Sequence, residues 1–398
     1  MSEVLVVFLT VAAIMALSFL GDFVSYRFLI PDVILLIVLG IICGPVLNLF
    51  KYESLVAVVP YVASLTLAFI VFDAGLKMDI YDVMEHGRIA FTLSILGFIF
   101  STVAVGSLLH LALGLRWAYA FMIASAWGGI STATVDAVCR HLNIKKTIYT
   151  TLTISSLVDD PIVIISTLTL LNYVLLGGLS FREVSTALAS NISISIILGI
   201  LAGIAWLNIL YLSRRGEYTY TFTLAAILLV YSTTEMLGGT GGIAVLVFGL
   251  ILGNYRLIVK ALRISVDARE LSKLKNLIEK FHSELAFILR SFFFTFIGSI
   301  YVFTGSFELL LGLIVGLLLH ATRFIVVKIT TFKSPLASDY RIMGVIVGKG
   351  VAAATMSTLP LAYNLPNASI FSSIALNVIL FTNVISLMLS FLIAKLTM

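Results

Sequence analysis

Ser155-Ser156-Leu157-Val158-Asp159-Asp160-Pro161 interrupts an otherwise apolar stretch running from 148 to 174. An ionisable side chain at the centre of a bilayer costs roughly 2.5 to 3.5 kcal/mol on insertion scales, so two in succession point to the handling of ions or protons rather than to stability. Their setting decides the fold class. Of the 398 residues, 60% are hydrophobic and 11% charged, and mean hydropathy is +1.13. This describes an all-α polytopic membrane protein and excludes a large soluble domain. The net charge of +5 is read as membrane topology and contact with lipid headgroups, with no nucleic-acid partner. Cys43 and Cys139 fall in apolar segments and are read as small core residues. The first apolar segment lacks the basic flank and small-residue cleavage site of a signal peptide and is read as a retained helix.

Cutting the chain at its polar and turn-rich breaks gives about thirteen apolar spans: 4–27, 32–50, 55–77, 89–113, 117–139, 148–175, 185–212, 218–237, 241–259, 281–302, 306–328, 340–360 and 367–394. Each can cross roughly 30 Å of hydrocarbon with some tilt. Eighteen basic residues fall in or beside the odd-numbered loops, whereas the even-numbered loops hold Lys51, Arg116 and Arg182. That asymmetry puts the N-terminus outside and the C-terminus, with Lys395, in the cytoplasm. The basic run 256–280 carries Leu257, Ile258, Leu262, Leu271 and Leu274 at helical spacing. A linker helix lying on the inner leaflet is expected there.

Within the spans, Arg290, Arg323 and Lys349 stand against Asp73, Asp159 and Asp160. Three positive charges can balance three negative ones, and such a network in a membrane reads as transport apparatus. Adjacent helical residues point about 100° apart, so Asp159 and Asp160 cannot face one cavity equally. Pro161 removes the helical partner of the Leu157 carbonyl, and Ser155 and Ser156 add hydroxyls one turn earlier. Carboxylate, hydroxyl and carbonyl oxygens form a hard set suited to a dehydrated alkali cation, and no His/Cys spacing suits a transition metal. Two spans also carry small-residue interruptions. The fifth holds Trp127-Gly128-Gly129-Ile130-Ser131-Thr132-Ala133-Thr134, and the twelfth holds Gly344 and Gly348-Lys349-Gly350. Breaks in matching places of oppositely oriented halves mark an inverted-repeat transporter. At such breaks Lys349 can complement negative helix ends, while Ser131, Thr132 and Thr134 offer ligands.

Four further segments stand in a consistent order: Ile30-Pro31-Asp32…Gly40…Gly44-Pro45, Phe72-Asp73-Ala74-Gly75-Leu76-Lys77-Met78-Asp79, Leu237-Gly238-Gly239…Gly249…Gly253-Asn254, and Phe292-Phe293-Phe294…Gly298. Together with the aspartate pair they resemble the monovalent cation/proton antiporter superfamily along almost the whole chain. The resemblance implies a homodimeric antiporter of the cell membrane, not an enzyme, with no cofactor and with Na⁺ and H⁺ as substrates, serving pH homeostasis. It implies one transmembrane domain over 1–398 with crossed, broken fifth and twelfth helices. Spans 1–3 and 8–10 form its scaffold and dimer side, and spans 4–6 and 11–13 its ion-translocating core.

In the NhaP-like branch the sixth-span motif reads Glu-Ser-x-x-Asn-Asp. The likeness makes Asp160 the carrier, Ser156 and Thr132 its companions as Na⁺ ligands, Asp73 a supporting acid, and Arg323 and Lys349 the basic positions. This chain departs from the motif: Ser155 stands at the Glu position and Asp159 at the Asn position, the latter as in the NapA-like branch. The fifth-span motif lacks its acid, leaving its register open between Ser131 and Thr134. Arg290 falls in the helix that carries a lysine in the NapA-like branch. Asp159 is therefore expected to replace the missing Glu as salt-bridge partner of Arg323 or Lys349. The alternatives are K⁺/H⁺ exchange and an organic-anion/Na⁺ symporter of related fold. No nucleotide-sensing domain is expected after Met398.

Overall fold

The computed structural model describes residues 12, 14–16, 19, 32–49, 52–142, 144–176, 181–212, 219–261, 268–301 and 305–397. The first span lies almost wholly outside them. Every element among the described residues is helical, as apolar runs without alternation require when no water is present to satisfy a strand edge. In chain order these are α1 (Asp32–Ile41), α2 (Tyr52–Lys77), α3 (Ile80–Leu113), α4 (Trp117–Ala126), α5 (Thr132–Leu142), α6 (Lys146–Leu176), α7 (Phe181–Leu212) and α8 (Thr219–Met236). There follow α9 (Gly241–Gly253), α10 (Tyr255–Ala261), α11 (Ala268–Ser299), α12 (Ser306–Thr331), α13 (Tyr340–Gly344), α14 (Val351–Ser357), α15 (Leu359–Ala362) and α16 (Ala368–Thr397).

Among the described residues, five helices are long and apolar enough to cross a membrane by length and composition: Gly87–Leu113, Lys146–Leu175, Ala189–Leu210, Ser306–Thr331 and Ile370–Ile393. Shorter apolar helices cover Val33–Val46, Trp117–Ala126, Gly241–Gly253 and Val351–Ala362. Two of these are pieces of the interrupted spans. The fifth span is α4 and α5 separated by residues 127–131, and the twelfth is α13 and α14 separated by 345–350. Pro161, by contrast, lies inside α6 without ending it.

The stretch expected as one linker helix over 256–280 divides differently. Tyr255–Ala261 is a short helix, and residues from 268 onward run without a break into the tenth span, as α11. The same apolar spacing serves an interfacial helix and the first turns of a crossing helix, so periodicity alone does not separate them. The ninth span is likewise two helices, parted at Asn254. That side chain bridges the turn between α2 and α3, donating from Nδ2 to the Met78 carbonyl (2.8 Å) and accepting the Ile80 N–H at Oδ1 (3.0 Å).

The chain forms two compact units. The first comprises residues 1–63, 86–175 and 291–398, and the second residues 64–85 and 176–290. In the second unit, Phe72, Leu76, Ile227 and Phe248 form a fully buried core. Close backbone approach makes that core dense. A Cβ on Gly249 would overlap the Phe72 carbonyl, and one on Gly75 the Leu246 carbonyl, the use of small residues that helix pairing in lipid requires. In the first unit, Leu93, Val135, Leu152, Val327 and Ile346 gather α3, α5, α6, α12 and the twelfth-span break around one core, which also buries Cys139. Both cysteines are free.

These contacts assign opposite signs to two glycine substitutions. Gly249→Ala is expected to destabilise the protein by about 1–3 kcal/mol, because the Phe72 backbone cannot give way. At Gly316 an added Cβ meets nothing nearer than 3.4 Å, so Gly316→Ala should be neutral or gain up to about 1 kcal/mol of helix propensity. Thermal unfolding of the detergent-solubilised variants reads both.

Candidate functional site

The sixth span sorts its polar residues by helical geometry. Residues four apart share a face, so Ser155 and Asp159 form one pair on α6 and Ser156 and Asp160 another. The first pair is fully enclosed. Ser94 of α3 donates to the Ser155 carbonyl (2.9 Å), with the two hydroxyls 3.0 Å apart. Asp159, 2% exposed, accepts the Ile130 N–H at Oδ2 (3.0 Å). The Ile130 amide belongs to the fifth-span break, where no helix offers it a carbonyl.

In the second pair, Ser156 faces α5. Ser156 Oγ lies 2.9 Å from Thr132 Oγ1 and also donates to the Thr153 carbonyl (2.9 Å). Asp160 is only partly enclosed and carries no hydrogen bond among the described residues. In the fifth span it is the Thr132 hydroxyl that lies opposite Ser156. Ser131 instead turns its main chain to the twelfth span, donating its N–H to the Gly348 carbonyl (2.8 Å). Thr134 donates to Asn383 Oδ1 on α16 (2.7 Å).

Both breaks meet at this point. Lys349, 1% exposed, donates from Nζ to the Gly129 carbonyl (2.5 Å), placing a positive charge beside the carbonyl-rich C-terminal end of α4. Trp127, fully buried, donates from Nε1 to Ser357 Oγ in α14 (2.9 Å). A Cβ on Gly129 would run into the Asp159 side chain, and one on Gly350 into Ser131. The glycines at the breaks therefore allow close approach of the interrupted segments to each other and to α6.

Arg323 of α12, 4% exposed, and Lys349 both act on Asp159 through their charges. The expected salt bridge is not formed. Ion pairs among the described residues include Lys77–Asp73, Lys145–Asp339 and Lys275–Glu279. Asp159 is instead held by a main-chain donor, and Arg323 Nε and Nη2 have no hydrogen-bond partner among the described residues. The three-against-three balance also divides. Asp73 belongs to the second unit, where it takes Lys77 (2.7 Å) and the Ser283 hydroxyl (2.7 Å). Arg290, in the same unit, places its guanidinium 5.7 Å from the Phe287 ring centre. Asp159, Asp160, Arg323 and Lys349 remain together in the first unit, two charges of each sign.

Sequence reasoning passed over the residues of α16. Ser386 accepts the Val347 N–H (3.1 Å), Thr382 accepts the Lys349 N–H (3.3 Å), and Asn383 donates to the Lys349 carbonyl (3.0 Å). Their spacing, Thr382-Asn383 followed by Ser386 and Ser390, is a polar stripe with a turn's period on an otherwise apolar helix, and it was the available signal. His320 of α12 adds to the stripe, with Nε2 3.2 Å from the Ser386 hydroxyl.

The family model of the transmembrane sodium/hydrogen exchanger matches residues 8–395. The chain belongs to the sodium/hydrogen exchanger family. It is 27% identical over 255 residues to the K⁺/H⁺ antiporter NhaP2 of Shewanella sp. (strain MR-4), a match covering 62% of this chain and 44% of that protein. To Na⁺/H⁺ antiporter 1 of Methanocaldococcus jannaschii it is 26% identical over 290 residues, covering 69% of this chain and 64% of the relative. The match thus spans about half to two thirds of the length of these relatives. The solved structure of the sodium proton antiporter MjNhaP1 from M. jannaschii at pH 8 superposes with a TM-score of 0.82 at 18% identity, covering 99% of this chain and 98% of that one. The antiporter fold is thereby established for this exchanger-family chain, and with it a multi-pass membrane protein.

The two aspartates are expected to differ in what they hold up. Asp159→Asn keeps an acceptor for the Ile130 N–H but strips the buried countercharge from Arg323 and Lys349, and should cost on the order of 3–5 kcal/mol. Asp160→Asn should change stability by less than about 1 kcal/mol. Equal shifts in unfolding temperature for the two variants would contradict the division.

Proposed function

We propose that this protein exchanges Na⁺ or Li⁺ for H⁺ across the cell membrane by alternating access, with cation and proton competing for Asp160. One observation carries the reading: Asp160 shares its helical face with Ser156, whose hydroxyl meets Thr132 at the crossing of two broken helices, while its neighbour Asp159 is already committed to Ile130. A carboxylate with two hydroxyls beside it is a hard-oxygen set for an alkali cation. The same carboxylate takes a proton when the cation leaves. A bare carboxylate is costly at this depth, so the site crosses loaded, and competition at one group suffices to couple the two fluxes.

Asp159 keeps its role in both states on this reading. One monovalent cation then replaces one proton at Asp160, and the exchange moves no net charge. K⁺ in place of Na⁺ is the second reading, favoured by the K⁺/H⁺ antiporter among the relatives. The basic residues of the odd-numbered loops support an outside N-terminus and a cytoplasmic C-terminus. A homodimer in lipid is the proposed assembly.

Proteoliposomes carrying a pH dye, challenged with Na⁺, Li⁺ and K⁺ gradients, test the reading. Wild-type protein should acidify or alkalinise the lumen according to the gradient, and Asp160→Asn should not; sustained cation-driven proton flux in that variant would sink the assignment. Competition also sets a sign in pH. Below the pH at which Asp160 gives up its proton, the apparent KM for the cation should rise about tenfold for each unit the pH falls; a KM independent of pH would rule out a shared site. With the potential clamped by valinomycin, the exchange rate should not respond to voltage, whereas a voltage-dependent rate would mean that more than one proton accompanies each cation.

A further inference from the structure

The unwound segment 345–350 carries main-chain groups that no helix satisfies, and α16 supplies replacements from one face. Ser386, Thr382 and Asn383 take the Val347 N–H, the Lys349 N–H and the Lys349 carbonyl. Asn383 differs from the other two in reaching both interrupted spans. Its Nδ2 donates to the carbonyls of Lys349 (3.0 Å) and Ile379 (2.8 Å), and its Oδ1 accepts the Thr134 hydroxyl of α5 (2.7 Å). Two acceptors on one side and one donor on the other fix which end of the amide points where. Asn383 is fully buried, 0% exposed.

Gly348 completes the arrangement. A Cβ there would collide with both the Thr134 hydroxyl and Asn383 Oδ1, so the Thr134–Asn383 bond lies directly against the twelfth-span backbone. One residue further on, Lys349 has its N–H, its carbonyl and its ammonium all engaged, the last on Gly129 of the other break. We infer that Asn383 is a positioning residue that clamps the two broken helices together and thereby holds the Lys349 ammonium over the fifth-span break. It touches neither cation nor proton. It acts through Lys349, whose charge bears on Asp159, and through Thr134, two residues from the Thr132 hydroxyl opposite Ser156. The transport consequence rests on the antiport reading, but the clamp itself does not.

Two measurements on purified wild type, Asn383→Leu, Thr134→Val and the double variant test this. Leu keeps the branching of Asn at Cγ, with somewhat larger end groups, and removes its bonds. Hydrogen–deuterium exchange should show the amides of 345–350 exchanging about tenfold faster in Asn383→Leu, with α12 unchanged. In proteoliposomes the apparent KM for Na⁺ should rise roughly five- to tenfold while the protein stays folded and monodisperse. Thr134→Val should give a smaller change, and the double variant no more than Asn383→Leu alone, because both remove one clamp. Ser390→Ala, on the same helix but bonded among the described residues only to its own Leu387 carbonyl, should match wild type in both readouts. A folded Asn383→Leu protein with wild-type exchange at 345–350 and wild-type KM overturns the proposal, as does full additivity of the two substitutions. Should Asn383→Leu fail to fold, Thr382→Val, which removes the acceptor of the Lys349 N–H, carries the same two readouts. Absence of cation/proton exchange in the wild type would count against the antiport reading, while the amide-exchange comparison would still decide the clamp.

Discussion

The structure depends on one constraint: a main chain that leaves the helix inside hydrocarbon must have every exposed N–H and C=O answered from within the protein. Each unanswered group costs several kcal/mol where there is no water. Two such interruptions could not stand separately. Here each answers the other, the Ser131 N–H meeting the Gly348 carbonyl and the Lys349 ammonium meeting the Gly129 carbonyl, while α6 takes the Ile130 N–H and α16 the Val347 N–H and the Lys349 N–H and carbonyl. Crossing the breaks at one point is thus a solution to a bonding problem before it is a device for transport. The glycines follow, because a Cβ at Gly129, Gly348 or Gly350 would run into the Asp159, Thr134 or Ser131 side chain packed against the breaks.

The same constraint explains the division of labour on α6. Ile130 N–H needs an acceptor, Arg323 and Lys349 need a countercharge, and Asp159 supplies both with one group. Asp160, about 100° away on α6, shares its helical face with Ser156, whose hydroxyl meets Thr132. In the familiar sixth-span motif an acid at the position of Ser155 would carry part of this load. Ser155 is instead a packing residue tied to Ser94. Asp159, one turn further along, carries a charge on the same face of α6, as four-residue periodicity allows.

Much of this was legible in the sequence. Apolar length identified the membrane fold, glycine and hydroxyl clusters located both interruptions, and the exchanger fold bears out a pair of crossed, broken helices. Charge was harder to place. A balance of three acids and three bases is a count without distances, and it could not reveal that Asp73 is occupied by Lys77 and Ser283 in the second unit. Direct salt bridges were expected for Asp159 because charges are conspicuous in an apolar sequence, whereas its actual partner is a backbone amide, which has no letter of its own. Asn383 and Thr382 were overlooked for a related reason: neutral polar residues on an apolar helix commonly bond their own preceding turn, and nothing in their identity says that they also reach another segment. The apolar spacing over 256–280 did not mark where a linker gives way to the tenth span, since residues from 268 onward run unbroken into that span as α11.

On the proposed reading, the electrostatics of the crossing also account for coupling. A protonated Asp160 and a cation-occupied Asp160 present the same net charge to Asp159, Arg323 and Lys349, whereas the bare carboxylate differs from both by a full unit. The surrounding charges therefore distinguish loaded from empty but not one load from the other. Choice between H⁺ and cation must come from concentration and from the short-range fit of the hydroxyl oxygens, while the requirement that something be bound comes from the field and the missing water. Keeping Asp159 engaged with Ile130 preserves that separation, because a second free carboxylate beside the first would let the site change its charge without taking up a cation. The main-chain bond to Asp159 is in this sense what makes a single neighbouring carboxylate sufficient for obligatory exchange.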